Sequence, residues 1–188
     1  MMTNPTRKLI LIVVVILSIV VVSGLTILGS DSSPERDYEN ERVSFKVPAN
    51  WSVDDGERHV DELATIRPVN AGYPNILIMG HEISGFNNET TAEKIDYIIE
   101  MYPIEEPRFE VVTRETVDVN GGKGEKLVYK STAHDDILFV GPDYYFAVVI
   151  FKANNQNIYI TTSEAMEHTF YSQVEPALDV VVNSIKVK

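Results

Sequence analysis

The sequence predicts an α+β domain, built as a single antiparallel β-sheet flanked by helices, that follows one N-terminal transmembrane helix. Three observations lead to this prediction. The run Leu9–Leu28 is uncharged over 20 residues, of which 16 are Leu, Ile or Val. Beyond it, short strand-like runs are separated by turn residues, which favours antiparallel pairing of consecutive strands. Two later segments, 90–102 and 174–185, have the periodicity of amphipathic helices.

The apolar run is long enough to cross a bilayer. Twenty helical residues at 1.5 Å each span about 30 Å, the thickness of the hydrocarbon core. Residues 9–29 are therefore interpreted as an anchor in the cell membrane. Arg7 and Lys8 precede it and acidic residues follow it, so residues 1–8 are expected in the cytoplasm and the C-terminal domain outside. A cleaved signal peptide is the alternative interpretation, and it exports the same domain.

An acidic segment, residues 30–42, joins the anchor to the domain. It contains one aromatic and no aliphatic residue, so it has little apolar surface with which to offset the entropy of ordering. We expect a flexible linker that reaches about 20 Å as a random coil. The folded domain is then expected over residues 43–188.

Three strands are predicted in the first part of the domain. Val43–Val47 alternates apolar and polar residues before Pro48. Residues 52–62 are acidic and rich in turn formers. After them, Ala64–Arg67 and Asn75–Glu82 are typical of two further strands, the second with a buried centre.

A helix is predicted after the third strand. Thr90 or Thr91 is suited to cap its N-terminus, and Pro103 is expected to end it. Between them, apolar residues recur at the spacing of one helical face: Ile95, Ile98, Ile99 and Tyr102.

Two hairpins are predicted next. Phe109–Val119 and Gly124–Ser131 are strand-like runs joined through Asn120–Gly121, which favours a tight turn. Tyr144–Ala153 and Asn157–Ser163 form the second pair, joined by a turn at Asn154–Gln156. The aromatic residues of this region are expected to fill the core rather than line a ligand pocket; they are Tyr144, Tyr145, Phe146 and Phe151.

A closing helix completes the predicted domain. Pro176 lies in its first turn, or kinks a longer helix that begins near Glu167. Its apolar face carries Val174, Leu178, Val181 and Ile185.

Charge and composition exclude several classes of function. All 28 acidic residues but only 14 of the 16 basic ones follow Ser30, so residues 31–188 carry a net charge of −14. Such a domain repels phosphate backbones, and nucleic acid is not expected as a partner. The absence of cysteine excludes disulfides, thiolate nucleophiles, cysteine-based metal sites and a lipidated-cysteine anchor.

The acidic loop His134-Asp135-Asp136 is the candidate for a divalent-cation site. Carboxylate and imidazole groups are suitable ligands, but the spacing matches no zinc motif. With 28 carboxylates in the chain, a simply solvated loop explains the same residues. No other cofactor is expected.

Catalytic motifs are missing from the domain, since no G-x-S-x-G elbow and no S-x-x-K occurs in it. No catalytic residue is therefore assigned.

Two sequons, at Asn50 and Asn88, match the N-glycosylation pattern, and Asn88 is the better candidate because it lies just before the helix.

The order of these elements resembles the PsbP-like family, the fold of the extrinsic lumenal subunit of photosystem II that is shared with a Ran-binding nuclear import factor. The resemblance covers about residues 41–188. It is carried by the opening strand and turn Val43–Trp51, the central hairpins and the closing segment Val182–Val187. It implies a sheet between helices and a protein that docks on others or assists assembly, with no chemistry common to the family.

A non-catalytic accessory domain is the function expected from these observations. It is held outside the membrane by the N-terminal helix, and it binds a protein partner or assists the assembly of a membrane or envelope complex. A binder of small ligands or divalent cations is the first alternative, and a small hydrolase is the second.

Overall fold

The computed structural model describes residues 34–55, 61–83, 88–105, 108–134 and 140–188. Within these ranges the strands are β1 (Glu35–Glu39), β2 (Val43–Pro48), β3 (Trp51–Asp54), β4 (Glu62–Pro68), β5 (Ile76–Glu82), β6 (Glu110–Val119), β7 (Gly122–His134), β8 (Val140–Ala153), β9 (Gln156–Thr162), β10 (Ala165–Met166) and β11 (Lys186–Val187). The helical segments are α1 (Thr91–Glu105), α2 (Glu167–Thr169), a π-helical turn (Phe170–Val174) and α3 (Glu175–Ser184).

The strands form two antiparallel sheets, so the prediction of a single sheet is wrong, although the α+β class is confirmed. The main sheet has the order β3-β4-β5-β9-β8-β7-β6, and β10 pairs with β8. A small sheet has the order β1-β2-β11. Pro48 lacks a backbone N–H and ends β2, after which the turn at Ala49–Asn50 carries the chain into the main sheet at Trp51.

Strand β1 corrects the predicted linker. Residues 35–39, expected to be flexible, pair with β2 in a register from Glu35↔Pro48 to Glu39↔Ser44. Tyr38 also packs on Phe45, with 4.9 Å between ring centroids. The backbone hydrogen bonds to β2 are available to a polar segment, and Tyr38 adds an apolar contact. Strand β3 forms at the start of the acidic stretch that was expected to be turns, where Trp51 and Val53 pack into the core.

Both predicted hairpins are confirmed. The β6–β7 turn is Asn120–Gly121, and Gly121 adopts a φ of 91° that glycine tolerates without steric cost. The β8–β9 turn is Asn154–Asn155, with φ values of 47° and 59°. Positive φ at both central residues is the backbone of a type I′ turn, whose twist matches that of the paired strands.

Helix α1 begins with a capping box, as the sequence indicates. The Thr90 hydroxyl accepts a hydrogen bond from the Glu93 amide at 3.2 Å, and Glu93 Oε2 accepts one from the Thr90 amide at 2.7 Å. The helix extends two residues past Pro103, to Glu105. Pro103 therefore lies in the final turn instead of ending the helix.

The closing helix is the longer of the two forms that the sequence allows. It begins at Glu167, and Pro176 lies in the first turn of α3. The π-helical turn comes directly before α3, and its last bond is donated by the Glu175 amide to the Phe170 carbonyl. A wider turn at this point accommodates a proline that has no N–H to continue the α-helical ladder.

The main sheet lies between two layers. Helix α1 packs on the outer face of the sheet through an apolar cluster of Ile95, Leu127, Val148 and Ile150. The closing helix and the small sheet cover the opposite, inner face, where the larger core lies. Tyr145 and Phe151 belong to that core, as predicted, whereas Phe146 points to the outer face and stacks on Tyr129 at 5.1 Å.

The predicted anchor, residues 9–29, and the predicted cytoplasmic residues 1–8 lie outside the described residues. Over the part of the chain that the structure describes, no helix is long and apolar enough to cross a membrane.

Candidate functional site

The predicted cation site is only partly described. His134 is the last residue of β7, and Asp135 and Asp136 lie outside the described residues. Among residues that are described, no group of three or more His, Asp or Glu side chains is placed to hold a metal ion. The cation site at this loop therefore stays a prediction.

The two glycosylation candidates are exposed. Asn50 lies in the turn between β2 and β3, where its backbone carbonyl accepts a hydrogen bond from the Val69 amide at 2.8 Å. Asn88 lies three residues before α1. Both side chains are accessible to a modifying enzyme, and modification at either stays a prediction.

A groove on the outer face combines exposed apolar surface with negative charge. It has a volume of about 660 Å³ and lies between α1 and β9. We call it the α1 groove; its lining residues are Glu89, Glu93, Lys94, Asp96, Tyr97, Ile98, Glu100 and Tyr159.

The α1 groove results from incomplete coverage of the sheet by the helix. Ile95 is fully buried against β7 and β8, which fixes the helix over those two strands. Tyr159 on the next strand, β9, is only half-buried, and the His81 ring packs nearly perpendicular to its ring, with 5.3 Å between the ring centroids. The outer surface of β9 beside the helix is thus left accessible.

Helix α1 exposes two large apolar side chains in and beside the groove. Tyr97 of the groove is 63% exposed, and Met101, one turn further along α1 and outside the groove lining, is 38% exposed. Ile98 lies beside them and is half-buried. Apolar surface displayed side by side on one helix, next to a groove, is typical of a binding surface.

Four carboxylates line the α1 groove; one precedes the helix, and the other three are spaced by three and four residues, which keeps them on one side of it. They are Glu89, Glu93, Asp96 and Glu100. Glu89 accepts a hydrogen bond from Lys94 Nζ at 2.8 Å, and this bond is the main reason that its pKa is lowered. Asp96 pairs with Arg114. Glu100 has no ion-pair partner within the described residues.

The carboxylate of Glu93 is held in the charged form by the helix cap. Hydrogen bonds from the Thr90 amide and hydroxyl lower its pKa. The groove therefore presents negative charge throughout the neutral range. Its chemistry suits a ligand that is both apolar and cationic.

A second recess, of about 520 Å³, has the opposite charge. It lies at the end of the main sheet near the β6–β7 turn and β11, over an apolar floor that includes Val119, Phe151 and Ile185. Lys123, Lys152 and Lys186 surround it. Lys123 is bound to Asp118, whereas neither of the other two lysines has an ion-pair partner in the described ranges.

A buried cation on the inner face is structural. Lys126 is 4% exposed, and its Nζ lies 2.9 Å from Glu175 and 3.1 Å from Asp179, with Glu115 at 3.8 Å. Burial by itself lowers the pKa of this ammonium, but the bonds to the two helix carboxylates outweigh it and the pKa is raised. This cluster joins β7 to the closing helix.

Sequence reasoning identified neither the groove nor the buried cluster. The sequence does contain a local indication of the groove, because Tyr97 is an aromatic residue among acidic residues on the face of α1 opposite its apolar stripe. The buried cluster has none, because its members are distant in sequence.

No protein-family model and no curated protein sequence matches the chain. Solved structures match it at low identity. Cyanobacterial PsbP (CyanoP) from Synechocystis sp. PCC 6803 is 16% identical with a TM-score of 0.55, and the match covers 85% of this chain and 96% of CyanoP.

Two further solved structures are similar. The Ran-binding protein Mog1p from Saccharomyces cerevisiae is 12% identical with a TM-score of 0.54, over 83% of this chain and 96% of Mog1p. LpqN, involved in cell envelope biogenesis of Mycobacterium tuberculosis, is 12% identical with a TM-score of 0.51, over 82% of this chain and 91% of LpqN. The described domain therefore has the PsbP/Mog1 fold, which confirms the resemblance at the level of fold.

Proposed function

We propose that this chain is a membrane-anchored, non-catalytic accessory protein whose extracytoplasmic domain binds a protein partner. The observation that carries the proposal is the α1 groove, where exposed Tyr97 and half-buried Tyr159 lie among four carboxylates. Aromatic side chains are frequent anchors of protein interfaces. The surrounding carboxylates complement a partner segment that carries Lys or Arg beside an apolar side chain.

The similar structures support a role of this kind. Mog1p is a Ran-binding protein, and LpqN is involved in cell envelope biogenesis. We accordingly propose that the partner here belongs to a membrane or envelope complex that the domain helps to assemble.

The predicted anchor supports the location. Residues 9–29 form the apolar run, and the basic residues Arg7 and Lys8 precede it. A domain held at the outer surface of the membrane searches for partners within a thin layer, which raises their effective concentration.

The test uses the full-length chain, cross-linked in its own membranes and gently solubilised. A reproducible partner should be recovered with the unchanged chain and reduced with Tyr97→Ala and with Glu100→Lys. Loss of a buried aromatic anchor typically weakens binding by about 2 kcal/mol, or roughly 30-fold. Tyr171→Ala is the matched control, because Tyr171 is 42% exposed but lies against the inner core.

The partner is then purified and its binding measured directly. Replacement of a basic residue in the partner's interface by an acidic one should restore the affinity for the Glu100→Lys variant. Binding of the unchanged chain should weaken as the salt concentration rises. Repeated recovery of the chain alone, or unchanged binding by both groove variants, contradicts the proposal.

The lysine-lined recess supports a second candidate function, the binding of a small anion with an apolar tail. Three lysines around an apolar floor are notable in a domain of net charge −14. Decanoate should then raise the melting temperature of the chain, and Lys152→Gln with Lys186→Gln should abolish the shift. An equal shift with the double variant excludes this recess as the site.

A further inference from the structure

The position at which the described domain begins suggests where the membrane lies. The chain enters the domain at Pro34, whose carbonyl oxygen accepts a hydrogen bond from the Ala49 amide at 2.8 Å. The next residue, Asn50, accepts one through its carbonyl from the Val69 amide, also at 2.8 Å. Pro34 is therefore linked to the connection between β4 and β5 in two steps, through the turn at Ala49–Asn50.

That connection adjoins the segment between β9 and β10. The Ser163 amide donates to the Asn75 carbonyl and the Asn75 amide donates to the Ser163 hydroxyl, both at 2.9 Å. Met166, three residues after Ser163, belongs to β10 and pairs with Tyr144 of β8. We call these linked segments, Pro34, Ala49–Asn50, Val69–Asn75 and Ser163–Met166, the N-terminal edge.

The N-terminal edge displays large apolar side chains to solvent. Tyr73 is 66% exposed, Met166 is 56% exposed and Val69 is 48% exposed. These are the highest exposures of large apolar side chains among the described residues, apart from Tyr97 in the α1 groove. The three side chains lie at the same end of the main sheet, and apolar side chains displayed in this way are expected to be covered in the working protein.

The length of the connection limits what can cover it. Five Cα–Cα steps separate residue 29, the end of the predicted anchor, from Pro34, and they span at most about 18 Å. The interfacial layer beyond the hydrocarbon core is itself about 5–8 Å thick on each side. In a chain anchored as proposed, this length keeps Pro34 in the neighbourhood of the lipid headgroups.

We propose that the N-terminal edge contacts the lipid headgroup layer of the membrane in which the chain is anchored, with Val69 and Tyr73 at the interface. This inference rests on the anchoring in the proposed function and adds the orientation of the domain. Tyrosine is enriched at membrane interfaces because its ring is apolar and its hydroxyl is polar. The net charge of −14 opposes binding to anionic lipid, so the contact is with zwitterionic headgroups and is driven by apolar burial.

This orientation leaves the α1 groove free. Tyr97 and the carboxylates of the groove lie on the outer face of the sheet, away from the strand ends that form the N-terminal edge. The membrane and the protein partner therefore occupy different surfaces of the domain.

The absence of cysteine allows a direct test with the full chain. Tyr73→Cys and Tyr97→Cys are each labelled with an environment-sensitive fluorophore and reconstituted in phosphatidylcholine vesicles that contain lipids with a headgroup spin label. The two positions are matched, with exposures of 66% and 63%. Quenching should be several-fold stronger at position 73 than at position 97, it should resist high salt, and Val69→Cys should behave as Tyr73→Cys.

Flotation of the same vesicles separates this inference from the proposed function. If the chain floats with the lipid but positions 73 and 97 are quenched equally, the contact is wrong and anchoring stands. If the label at 73 is shielded only after a protein partner is added, the edge is a protein interface and the lipid contact is again wrong. If the chain does not float, anchoring fails and the inference fails with it.

Discussion

Lys126 Nζ lies 2.9 Å from Glu175 Oε1, so a buried ammonium on β7 binds the first residue of α3. Asp179, one turn along the same helix, is 3.1 Å from the same nitrogen. The pair of carboxylates at i and i+4 faces the sheet and sets the position of the closing helix on it.

Removal of both carboxylates should destabilise the fold more than removal of the lysine. Glu175→Ala with Asp179→Ala leaves a buried cation with only Glu115 nearby, and we expect a loss of about 3–5 kcal/mol. Lys126→Met should cost less, because its stem is apolar and the freed carboxylates can reach water. Urea unfolding measures both, with Lys46→Met at an exposed ion pair as the control. A smaller loss for the double variant than for Lys126→Met contradicts this account.

The contribution of Lys126 should depend on pH in the alkaline range. Its pKa in the folded protein is raised above the unfolded value of 10.5, so its ion pairs stabilise the fold fully below pH 10.5. That contribution is lost as the pH rises through the folded pKa. The difference in unfolding free energy between the unchanged chain and Lys126→Met should be constant from pH 7 to about pH 10 and shrink above it. A difference that already falls between pH 7 and pH 9 would show that another group is responsible.

The capping box at the start of α1 should contribute measurably to stability. Thr90→Ala removes the hydroxyl that accepts a hydrogen bond from the Glu93 amide, and we expect a cost of about 1 kcal/mol. Thr91→Ala, one residue inside the helix, is the matched control. The pKa of Glu93 is lowered in the folded protein, so its charged carboxylate contributes to the stability of the fold above the unfolded pKa of 4.5. This contribution is lost as the pH falls below 4.5 and through the folded pKa. Equal effects of the two alanine variants in urea unfolding would contradict the role of Thr90.

Strand β1 should be ordered in solution. Its pairing with β2 predicts amide hydrogen exchange slowed within residues 35–39, in contrast to the rapid exchange of a flexible linker. Tyr38→Ala, which removes the ring that packs on Phe45, should cost about 0.5–1.5 kcal/mol. Tyr97→Ala is the control, measured in the absence of any partner, since Tyr97 is 63% exposed. Unprotected amides throughout β1 would restore the linker interpretation.

Local patterns in the sequence predicted much of the fold. The turns at Asn120–Gly121 and Asn154–Asn155, the Thr90 cap and the apolar stripe of α1 each depend on residues within a few positions of one another. Such features are stabilised by short-range geometry, which the order of residues specifies directly.

The candidate site could not be predicted in the same way. Tyr97 and Tyr159 are 62 positions apart in the chain, and they line one groove only because α1 packs over β7 and β8 and leaves β9 uncovered. The coverage of a sheet by a helix depends on which strands are neighbours. Strand order is a property of the whole fold.

The sequence by itself determined the α+β class, the two hairpins, the capped helix and the presence of a closing helix, because periodicity and turn chemistry act locally. The tertiary structure decided the rest. It divided the strands between two sheets, ordered the polar segment 35–39 on the edge of β2, and buried Lys126 beneath Glu175. Each of these depends on partners that are distant in the chain, whose pairing is stabilised only once the core has formed.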